Sequence, residues 1–442
     1  MRSRSLVYPA LLVGALLAGG GLPSRLPAQG IVLPGAGPIH RSMAGASTAA
    51  PLDAIGAQYW NPAAMSGLHR SQVDVGSELV YPEIYLGSSL PNGSGRTRSD
   101  SGLSAIPSIA MVYQPDGSPW TVGLGLQALA GGSVNFPSDP SNPILAPTGP
   151  LGRTVLGQEA ATLSVLEIAP SLSYAVLDRL YVGGGPTLVN VGMTSNPPIF
   201  GGRNDANGDG LFSFPSATSS RPFWGGGFRA GVYWEATDEV AVGFGFTSPQ
   251  WFEPFRFNAK DEVGNPLRIG FKFSLPMILS WGVAYRGIDN LLLTADVRYF
   301  DYKDTDLFGV KVRDGGLGWQ DVFAVAIAGQ YQLGERASVR LGYLYNQNPI
   351  PDPATLFNIQ VPGIVQHSIC AGLTLRMNDW IDASLAYVHA FNNSIQGNLL
   401  EERRIFTQID AAADSFILGV TVRYGGSSPV AAADGACASV TR

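Results

Sequence analysis

The most constraining feature of this sequence is an alternation of apolar residues with small or charged ones from Leu267 to Tyr285. Successive side chains of a β-strand point to opposite faces, so the alternation predicts a strand with one apolar face. Strands of soluble proteins usually have about 3–10 residues, whereas a strand that crosses a bilayer needs roughly 9–11 and can continue beyond it. The pattern therefore favours a membrane-spanning strand at 267–286 over a long strand of a soluble β-sandwich.

The composition suits a chain whose outer surface faces lipid. Of the 442 residues, 45% are hydrophobic and only 14% are charged, and 55 residues are glycine. After the N-terminus, no apolar run is long enough for a membrane-spanning helix, so any spanning segments must be strands. The net charge of −6 gives no reason to expect a nucleic-acid partner. Cys370 and Cys437 do not amount to a disulfide framework.

The first 28 residues have the pattern of a secretory signal peptide. Arg2 and Arg4 precede an apolar stretch at 6–22, and Ala28 is a small residue at a plausible cleavage point. We therefore predict that 1–28 is a signal peptide and that the mature chain starts near Gln29. An exported chain that spans a membrane with strands indicates a Gram-negative-type outer membrane.

The alternation recurs about fourteen times after residue 71. The connections between these segments are alternately very short turns and long polar loops. The short turns carry the Gly, Asn or Asp residues that reversals favour. Short turns on one side and long loops on the other are typical of an outer-membrane β-barrel, and an even count allows closure. We therefore predict an all-β fold, a transmembrane antiparallel barrel at 71–424. The predicted strands are 71–81, 106–115, 119–130, 159–176, 180–192, 223–236, 239–249, 267–286, 290–302, 319–333, 336–347, 364–377, 380–392 and 414–424.

The same alternation predicts which charged side chains point into the lumen. These charges form either a structural network or, in part, a cation site in which Arg229 or Arg340 meets a substrate carboxylate. The sequence does not choose between the two. A lumen enclosed by about fourteen strands is too wide to be filled by side chains of the wall alone, so it needs water or a plug. The candidate lumen charges are Arg229, Arg340, Lys272, Glu167, Asp296 and Arg298.

Residues 29–70 are the candidate for that plug. They lack the alternation and contain a run of small residues at 42–50, an acidic residue at Asp53 and the motif Asn61-Pro62-Ala63. In these features the chain resembles the FadL family of long-chain fatty-acid and hydrophobic-compound transporters. Further similarity lies in the strand segments Gly231-Val232-Tyr233, Trp281-Gly282-Val283-Ala284-Tyr285 and Arg340-Leu341-Gly342-Tyr343.

This resemblance implies a monomeric fourteen-stranded barrel with residues 29–70 as an N-terminal hatch. It implies passive inward movement of hydrophobic molecules and a kink in the third strand that opens a lateral gap. Asn61, Pro62 and Ala63 carry over as hatch or gating residues. Gly131 and Gly132 stand where the family has an aromatic-glycine signature, and paired glycines suit a kink or bulge. Residues 425–442 extend beyond the last strand, and their Gly-, Ser- and Ala-rich composition predicts disorder.

The function predicted from these features is passive uptake of hydrophobic molecules, either long-chain fatty acids or aromatic hydrocarbons, across the outer membrane. The alternatives are a general porin for small polar solutes and a lipid hydrolase embedded in the barrel. We expect no enzymatic activity, because the sequence lacks a Gly-x-Ser-x-Gly motif and its four histidines lack metal spacing. The expected partners are a hydrophobic small molecule and outer-membrane lipid.

One loop resembles half of a calcium-binding site. Asp205, Asn207 and Asp209 take the first three ligand positions of an EF-hand-type loop, and Gly210 takes the sixth. The twelfth position, where such loops have a glutamate, is Ser216. The segment is therefore predicted to be either a polar surface turn or a weak calcium site, and no other cofactor is expected.

Overall fold

A computed structural model describes residues 29–91, 93–146, 157–198, 202, 204–210, 214–215, 221–398 and 406–424. The predicted signal peptide at 1–28 and the predicted disordered tail at 425–442 lie outside the described residues. The strands are β1 (Gln72–Leu90), β2 (Gly93–Arg98), β3 (Ser104–Tyr113), β4 (Trp120–Phe136), β5 (Glu159–Leu177), β6 (Leu180–Asn196), β7 (Phe223–Glu235), β8 (Val240–Thr247), β9 (Gln250–Phe252), β10 (Phe255–Lys260), β11 (Pro266–Phe271), β12 (Ser274–Leu275), β13 (Met277–Ile288), β14 (Leu291–Asp301), β15 (Val322–Leu333), β16 (Ala337–Asn346), β17 (His367–Arg376), β18 (Ile381–Asn398) and β19 (Phe406–Arg423).

The strands form a closed antiparallel barrel, as the sequence predicted. Each wall strand pairs with its neighbours in the chain, and the last strand, β19, pairs with β1 from Gln72↔Arg423 to Ser89↔Phe406. Seventeen hydrogen-bonded segments make up fourteen wall strands. The numbers differ because three wall strands are interrupted and each consists of two segments. These pairs of segments are β2 with β3, β8 with β9, and β12 with β13.

The predicted single strand at 267–286 is wrong, because this segment divides between two structures. Its first part, β11, pairs with β10 in a separate hairpin, while β12 and β13 belong to the wall. Pro276 separates β12 from β13 and has no N–H for a strand ladder. The side chains of Phe273 and Leu275 are buried in an apolar cluster inside the molecule and do not face lipid. The apolar positions of this segment thus face two different surroundings, the interior of the molecule for Phe273 and Leu275 and the outer surface for Trp281 and Val283.

Several wall strands extend further into the predicted loops than the sequence indicated. β1 continues to Leu90 and folds back through β2, β4 continues to Phe136, and β18 and β19 reach Asn398 and Phe406. These extensions are at the end with the long loops. Their inward positions carry buried apolar residues such as Leu86, Phe136 and Ile409, but interspersed Gly, Ser and other polar residues break the regular alternation on which strand predictions depend.

The inward and outward faces agree with the alternation in most wall strands. On β7, Trp234 is 48% exposed while Arg229 and Tyr233 are buried. On β16, Leu341 is 61% exposed and Arg340 is buried. The barrel therefore presents apolar side chains outward, where lipid can cover them. No helix among the described residues has the length and apolarity needed to cross a membrane.

Residues 29–70 fold inside the barrel, where nearly every side chain is buried. They contain two short helices, α1 (Pro38–Ser42) and α2 (Ala54–Tyr59), and a 3₁₀ helix, η1 (Pro62–Leu68). Asp53 caps α2 by accepting a hydrogen bond from the Gly56 N–H at 2.9 Å. Asn61 caps η1 in the same manner, and Pro62 takes the first helical position, where its fixed φ is compatible with the turn. We call residues 29–70 the hatch.

Candidate functional site: the hatch, the bulge in β4 and the adjoining cavity

Asn61 joins two segments of the hatch to each other and to the wall. Its Nδ2 donates to the Thr48 carbonyl oxygen at 2.9 Å and to the Val232 carbonyl oxygen of β7 at 2.9 Å. Its Oδ1 accepts from the Ala63 N–H at 3.1 Å. The amide thus uses its donors and its acceptor within the buried interface between hatch and wall. Asn61, Pro62 and Ala63 lie in this interface.

Two of the candidate lumen charges lie on β14 and bind the hatch backbone. Asp296 accepts hydrogen bonds from the Ser47 and Thr48 N–H groups, both at 3.0 Å, and from the Thr48 hydroxyl at 2.7 Å. Arg298 donates to the Gly45 carbonyl oxygen at 3.1 Å, and its guanidinium lies 4.7 Å from the ring centroid of Trp60. Both charges are therefore committed to hatch contacts.

Arg229 on β7 and Glu167 on β5 form a buried ion pair. The guanidinium nitrogen Nη2 lies 2.7 Å from Glu167 Oε1 and 2.8 Å from Oε2, and both side chains are almost inaccessible to solvent. Arg229 also donates to the Gln58 carbonyl oxygen of the hatch at 3.4 Å. This geometry favours the structural-network interpretation for Arg229 over direct binding of a substrate carboxylate.

The remaining two candidate lumen charges differ from each other. Arg340 is buried and donates to Gln330 Oε1 at 2.6 Å and to Thr374 Oγ1 at 2.7 Å. Lys272 is exposed in the segment between β11 and β12, so it does not share the buried environment of the other five candidate charges. Its position depended on reading 267–286 as one strand.

Sequence reasoning missed two acidic residues of β1 that also bind the hatch. Glu78 makes a two-pronged contact with the Arg41 guanidinium, at 2.8 and 2.9 Å. Asp74 accepts from the Ala54 N–H at 2.6 Å and so reinforces the start of α2. Both lie on the inward face of β1, at even positions on either side of Gly76. The alternation of β1 would have identified them.

Inward-facing glycines of the wall make room for the hatch backbone. A Cβ atom on Gly243 would lie 1.9 Å from the Thr48 carbonyl oxygen, and one on Gly245 would lie 2.0 Å from the Trp60 carbonyl oxygen. Similar overlaps with hatch atoms occur on other wall strands, so that any larger side chain would displace the hatch. The further positions of this type are Gly123, Gly183, Gly231, Gly282, Gly342, Gly372 and Gly419.

The third wall strand, β4, contains a bulge close to the predicted kink. Ala128 pairs with Leu166 and Ala130 with Val165, so Leu129 is an extra residue on β4. The bulge therefore precedes Gly131 and Gly132 by one to three residues. A Cβ atom on Gly131 would lie 2.9 Å from the Leu163 carbonyl oxygen, whereas one on Gly132 would meet nothing within 4 Å.

Pairing between β3 and β4 stops just before this bulge. The last paired residues are Ser108 and Gln127, and beyond them residues 104–107 of β3 pair only with β1. The segment between β2 and β3 meets β4 again near the end of β4, where the Asp100 N–H donates to the Asn135 carbonyl oxygen at 2.7 Å. Residues 104–107 and 128–134 thus flank a gap in the strand pairing of the wall, which we call the lateral gap.

The beginning of the hatch occupies the free edge of β4 at this gap. The Leu33 N–H donates to the Leu129 carbonyl oxygen at 2.9 Å, and the Gly131 N–H donates to the Ile31 carbonyl oxygen at 3.2 Å. Val32 and Ala130 face each other between these two bonds. The hatch therefore supplies the hydrogen-bonding partner that β4 lacks at the gap.

An apolar cavity of about 190 Å³ adjoins the same place. It is bounded by the start of the hatch at Gly30, by β4 beyond the bulge, by the start of β5, and by the loops near 307 and 360–365. The lining is mostly hydrophobic, and its larger apolar side chains are Ile31, Ile84, Leu163, Met193, Phe273 and Phe308. A small hydrophobic molecule in this cavity would contact both the hatch and the bulged strand.

His40 stabilises the hatch as a neutral side chain. Its Nδ1 lies 3.3 Å from the Ala36 N–H donor, and its Nε2 lies 2.9 Å from the Gly45 carbonyl oxygen. Burial lowers the pKa of His40 to about 3, with the backbone hydrogen bond to Gly45 acting in the opposite direction. The imidazole is therefore neutral at pH 7, with Nδ1 as acceptor and Nε2 as donor.

The predicted calcium loop forms a polar turn with hydrogen bonds among its own residues. Asp205 Oδ2 accepts from the Gly210 N–H at 3.0 Å, and Asn207 Oδ1 accepts from the Asp209 N–H at 2.9 Å. Ser216 lies outside the described residues. Among the residues that the structure describes, no group of three His, Cys, Asp or Glu side chains is placed to hold a metal ion. Weak calcium binding by this loop stays a prediction.

The sequence matches the model of one protein family, described as outer membrane protein transport protein (OMPP1/FadL/TodX), over residues 27–425. No curated protein sequence matches the chain. Solved structures that share the fold include two toluene transporters and a FadL homologue. The Pseudomonas putida toluene transporter TodX has 18% identity and a TM-score of 0.68, with 89% of this chain and 100% of that chain covered. A Pseudomonas aeruginosa FadL homologue has 16% identity and a TM-score of 0.68, with 90% and 100% covered. The Ralstonia pickettii toluene transporter TbuX has 16% identity and a TM-score of 0.64, with 89% and 99% covered.

Proposed function

Because this chain belongs to the family of outer membrane transport proteins, we propose that it takes up hydrophobic molecules passively through the cavity and the lateral gap. The observation that carries the proposal is the pairing of Ile31–Leu33 with the bulged edge of β4. In this pairing, the start of the hatch lies where the apolar cavity meets the gap between β3 and β4.

The proposed route has three parts. A hydrophobic molecule enters from the side of the long loops and leaves water for the apolar cavity, which is favourable by roughly 25 cal/mol per Å² of apolar surface buried. Its presence displaces residues 30–33 from β4. The molecule then leaves sideways between β3 and β4 into the membrane, without crossing the polar interior that the hatch fills.

Displacement of the hatch start requires few bonds to break. Residues 30–33 are held by two backbone hydrogen bonds to β4 and by the Tyr59 hydroxyl, which donates to the Leu33 carbonyl oxygen at 3.1 Å. Each such bond contributes about 0.5–1.5 kcal/mol net. The rest of the hatch stays bound through Asp296, Arg298 and Asn61. The barrel therefore excludes polar solutes while the lateral gap opens.

The cargo is a small hydrophobic molecule, with aromatic hydrocarbons and fatty acids as the two candidate classes. Two of the similar structures are toluene transporters, and the cavity is larger than the roughly 150 Å³ that holds benzene in an engineered protein cavity. Both observations support a molecule of monoaromatic size.

A reversible crosslink between Val32 and Ala130 tests this proposal. These residues form a non-hydrogen-bonded antiparallel pair, whose Cα atoms are about 4.5 Å apart, and that separation allows a disulfide. The variant Val32→Cys/Ala130→Cys also carries Cys437→Ala to remove the cysteine of the tail. In a host without its own transporter, the oxidised variant should lose uptake of radiolabelled toluene and of radiolabelled fatty acid, and dithiothreitol should restore it.

The matched control is Val32→Cys/Cys437→Ala, which has no partner at position 130. It should take up both compounds at the same rate before and after oxidation. Undiminished uptake by the oxidised double-cysteine variant, with the disulfide present in all molecules, would contradict the lateral route.

A further inference from the structure

Gln360 is a polar residue of the cavity lining, and it bonds to Glu159 and Ser195, which do not themselves line the cavity. Its Nε2 donates to Glu159 Oε2 at 2.7 Å and to the Pro197 carbonyl oxygen at 2.8 Å, so both of its N–H groups are used. Its Oε1 accepts one hydrogen bond, from the Ser195 hydroxyl at 2.9 Å. A carbonyl oxygen can accept two, so this atom has capacity for another donor.

Glu159 adds a second acceptor behind Gln360. Its side chain is fully buried, and its Oε1 has no hydrogen-bond partner among the described residues. A buried acceptor without a donor is unfavourable by about 1–3 kcal/mol. Glu159 does not line the cavity, so the acceptor that a ligand with an O–H group can reach is Gln360 Oε1.

No cationic side chain accompanies these acceptors. Among the described residues that line the cavity, none is Lys, Arg or His. An ionised carboxylate entering the cavity would lose its hydration without gaining a positive charge in return, which is strongly unfavourable. The lining therefore disfavours the anionic form of a fatty acid.

From this arrangement, and resting on the proposed function, we propose that the cavity selects uncharged small hydrophobic molecules with one hydroxyl group, such as an aromatic alcohol. The apolar body packs against Leu163, Met193 and Phe273, and the hydroxyl donates to Gln360 Oε1. A pure hydrocarbon fits the same space but leaves that acceptor unused. Gln360 is then a specificity-determining residue, and Glu159 is the residue that positions it.

The test measures binding of benzyl alcohol, toluene and benzoate to the full chain in lipid nanodiscs by calorimetry at pH 7, with empty nanodiscs as the blank. Benzyl alcohol should bind about three- to tenfold more tightly than toluene, the effect expected of one net hydrogen bond, and benzoate should bind most weakly. Gln360→Leu and Glu159→Leu should each lower the affinity for benzyl alcohol and leave that for toluene within about twofold.

The matched control is Gln158→Leu, because Gln158 is adjacent in sequence but exposed and bonded to Asn135 on the outer surface. It should retain the preference for benzyl alcohol. Toluene binding as tightly as benzyl alcohol, or benzoate binding as tightly as either, would overturn the specificity proposal while leaving hydrophobic transport intact. Failure of all three compounds to bind, together with no toluene uptake by cells, would instead overturn the proposed function. Retained resistance to heat and SDS shows that each variant has folded.

Discussion

Asn61 is the residue whose loss should affect the hatch most directly. Without its amide, the Thr48 and Val232 carbonyl oxygens lose their donor, and η1 loses its cap. Leaving a buried acceptor unpaired costs about 1–3 kcal/mol. We expect Asn61→Ala/Pro62→Ala to loosen the hatch and to alter uptake of a hydrophobic compound. The wall should still form, since its strand pairing is unchanged.

Three measurements check this expectation. The variant should remain resistant to heat and SDS, its hatch should become sensitive to protease, and it should admit small sugars in liposome swelling. Asn265→Ala is the matched control, because Asn265 is exposed at the tip of the β10–β11 hairpin and bonds only within that turn. Uptake and sugar exclusion equal to wild type in Asn61→Ala/Pro62→Ala would show that this motif does not control passage.

The β10–β11 hairpin is an element that covers the barrel interior without being part of the wall. Phe255 is fully buried against Phe223 and Phe273, with ring centroids 4.2 and 5.1 Å away. Phe273 also lines the cavity. The hairpin therefore belongs to the entry side of the proposed route, above the hatch.

Replacing residues 256–270 with a four-residue Gly-Ser linker should separate the roles of hairpin and hatch. We expect the barrel to fold and to exclude sugars in liposome swelling, because the hatch contacts below are unchanged. Uptake of toluene should fall, because the aromatic cluster around Phe273 would be exposed to water. Rapid entry of sugars would show instead that the hairpin, and not the hatch, closes the lumen.

At the scale of the whole molecule, wall and hatch fit each other through glycines spread over eight wall strands. Gly243→Ala puts a Cβ atom 1.9 Å from the backbone oxygen of Thr48, which no side-chain rotation can relieve. Overpacking of this kind costs about 1–3 kcal/mol. The variant should form a heat-resistant barrel with a displaced hatch, and it should admit sugars and expose the hatch to protease.

Gly192→Ala provides the matched control, since a Cβ atom at that position of β6 meets nothing within 4 Å. It should behave as wild type in both assays. A tightly closed, protease-resistant Gly243→Ala protein would mean that the hatch can shift without opening a passage.

The sequence by itself determined the architecture of the wall. The number of wall strands, their short turns, and the inward position of Arg229, Asp296 and Arg298 follow from the alternation of side chains. That alternation is a local property with a period of two residues, and lipid on one side and a packed interior on the other impose it on each strand separately. The resemblance at Asn61-Pro62-Ala63 added the hatch.

Only the tertiary structure decided where that regularity is broken. The division of 267–286, the exposure of Lys272 and the extra residue Leu129 in β4 depend on contacts with parts of the chain far away in sequence. The same is true of the pairing of Val32 with Ala130 and of Gln360 with Glu159. An alternating pattern shows that a side chain avoids water, but not whether lipid, the hatch or a cavity surrounds it. That depends on which distant segments meet.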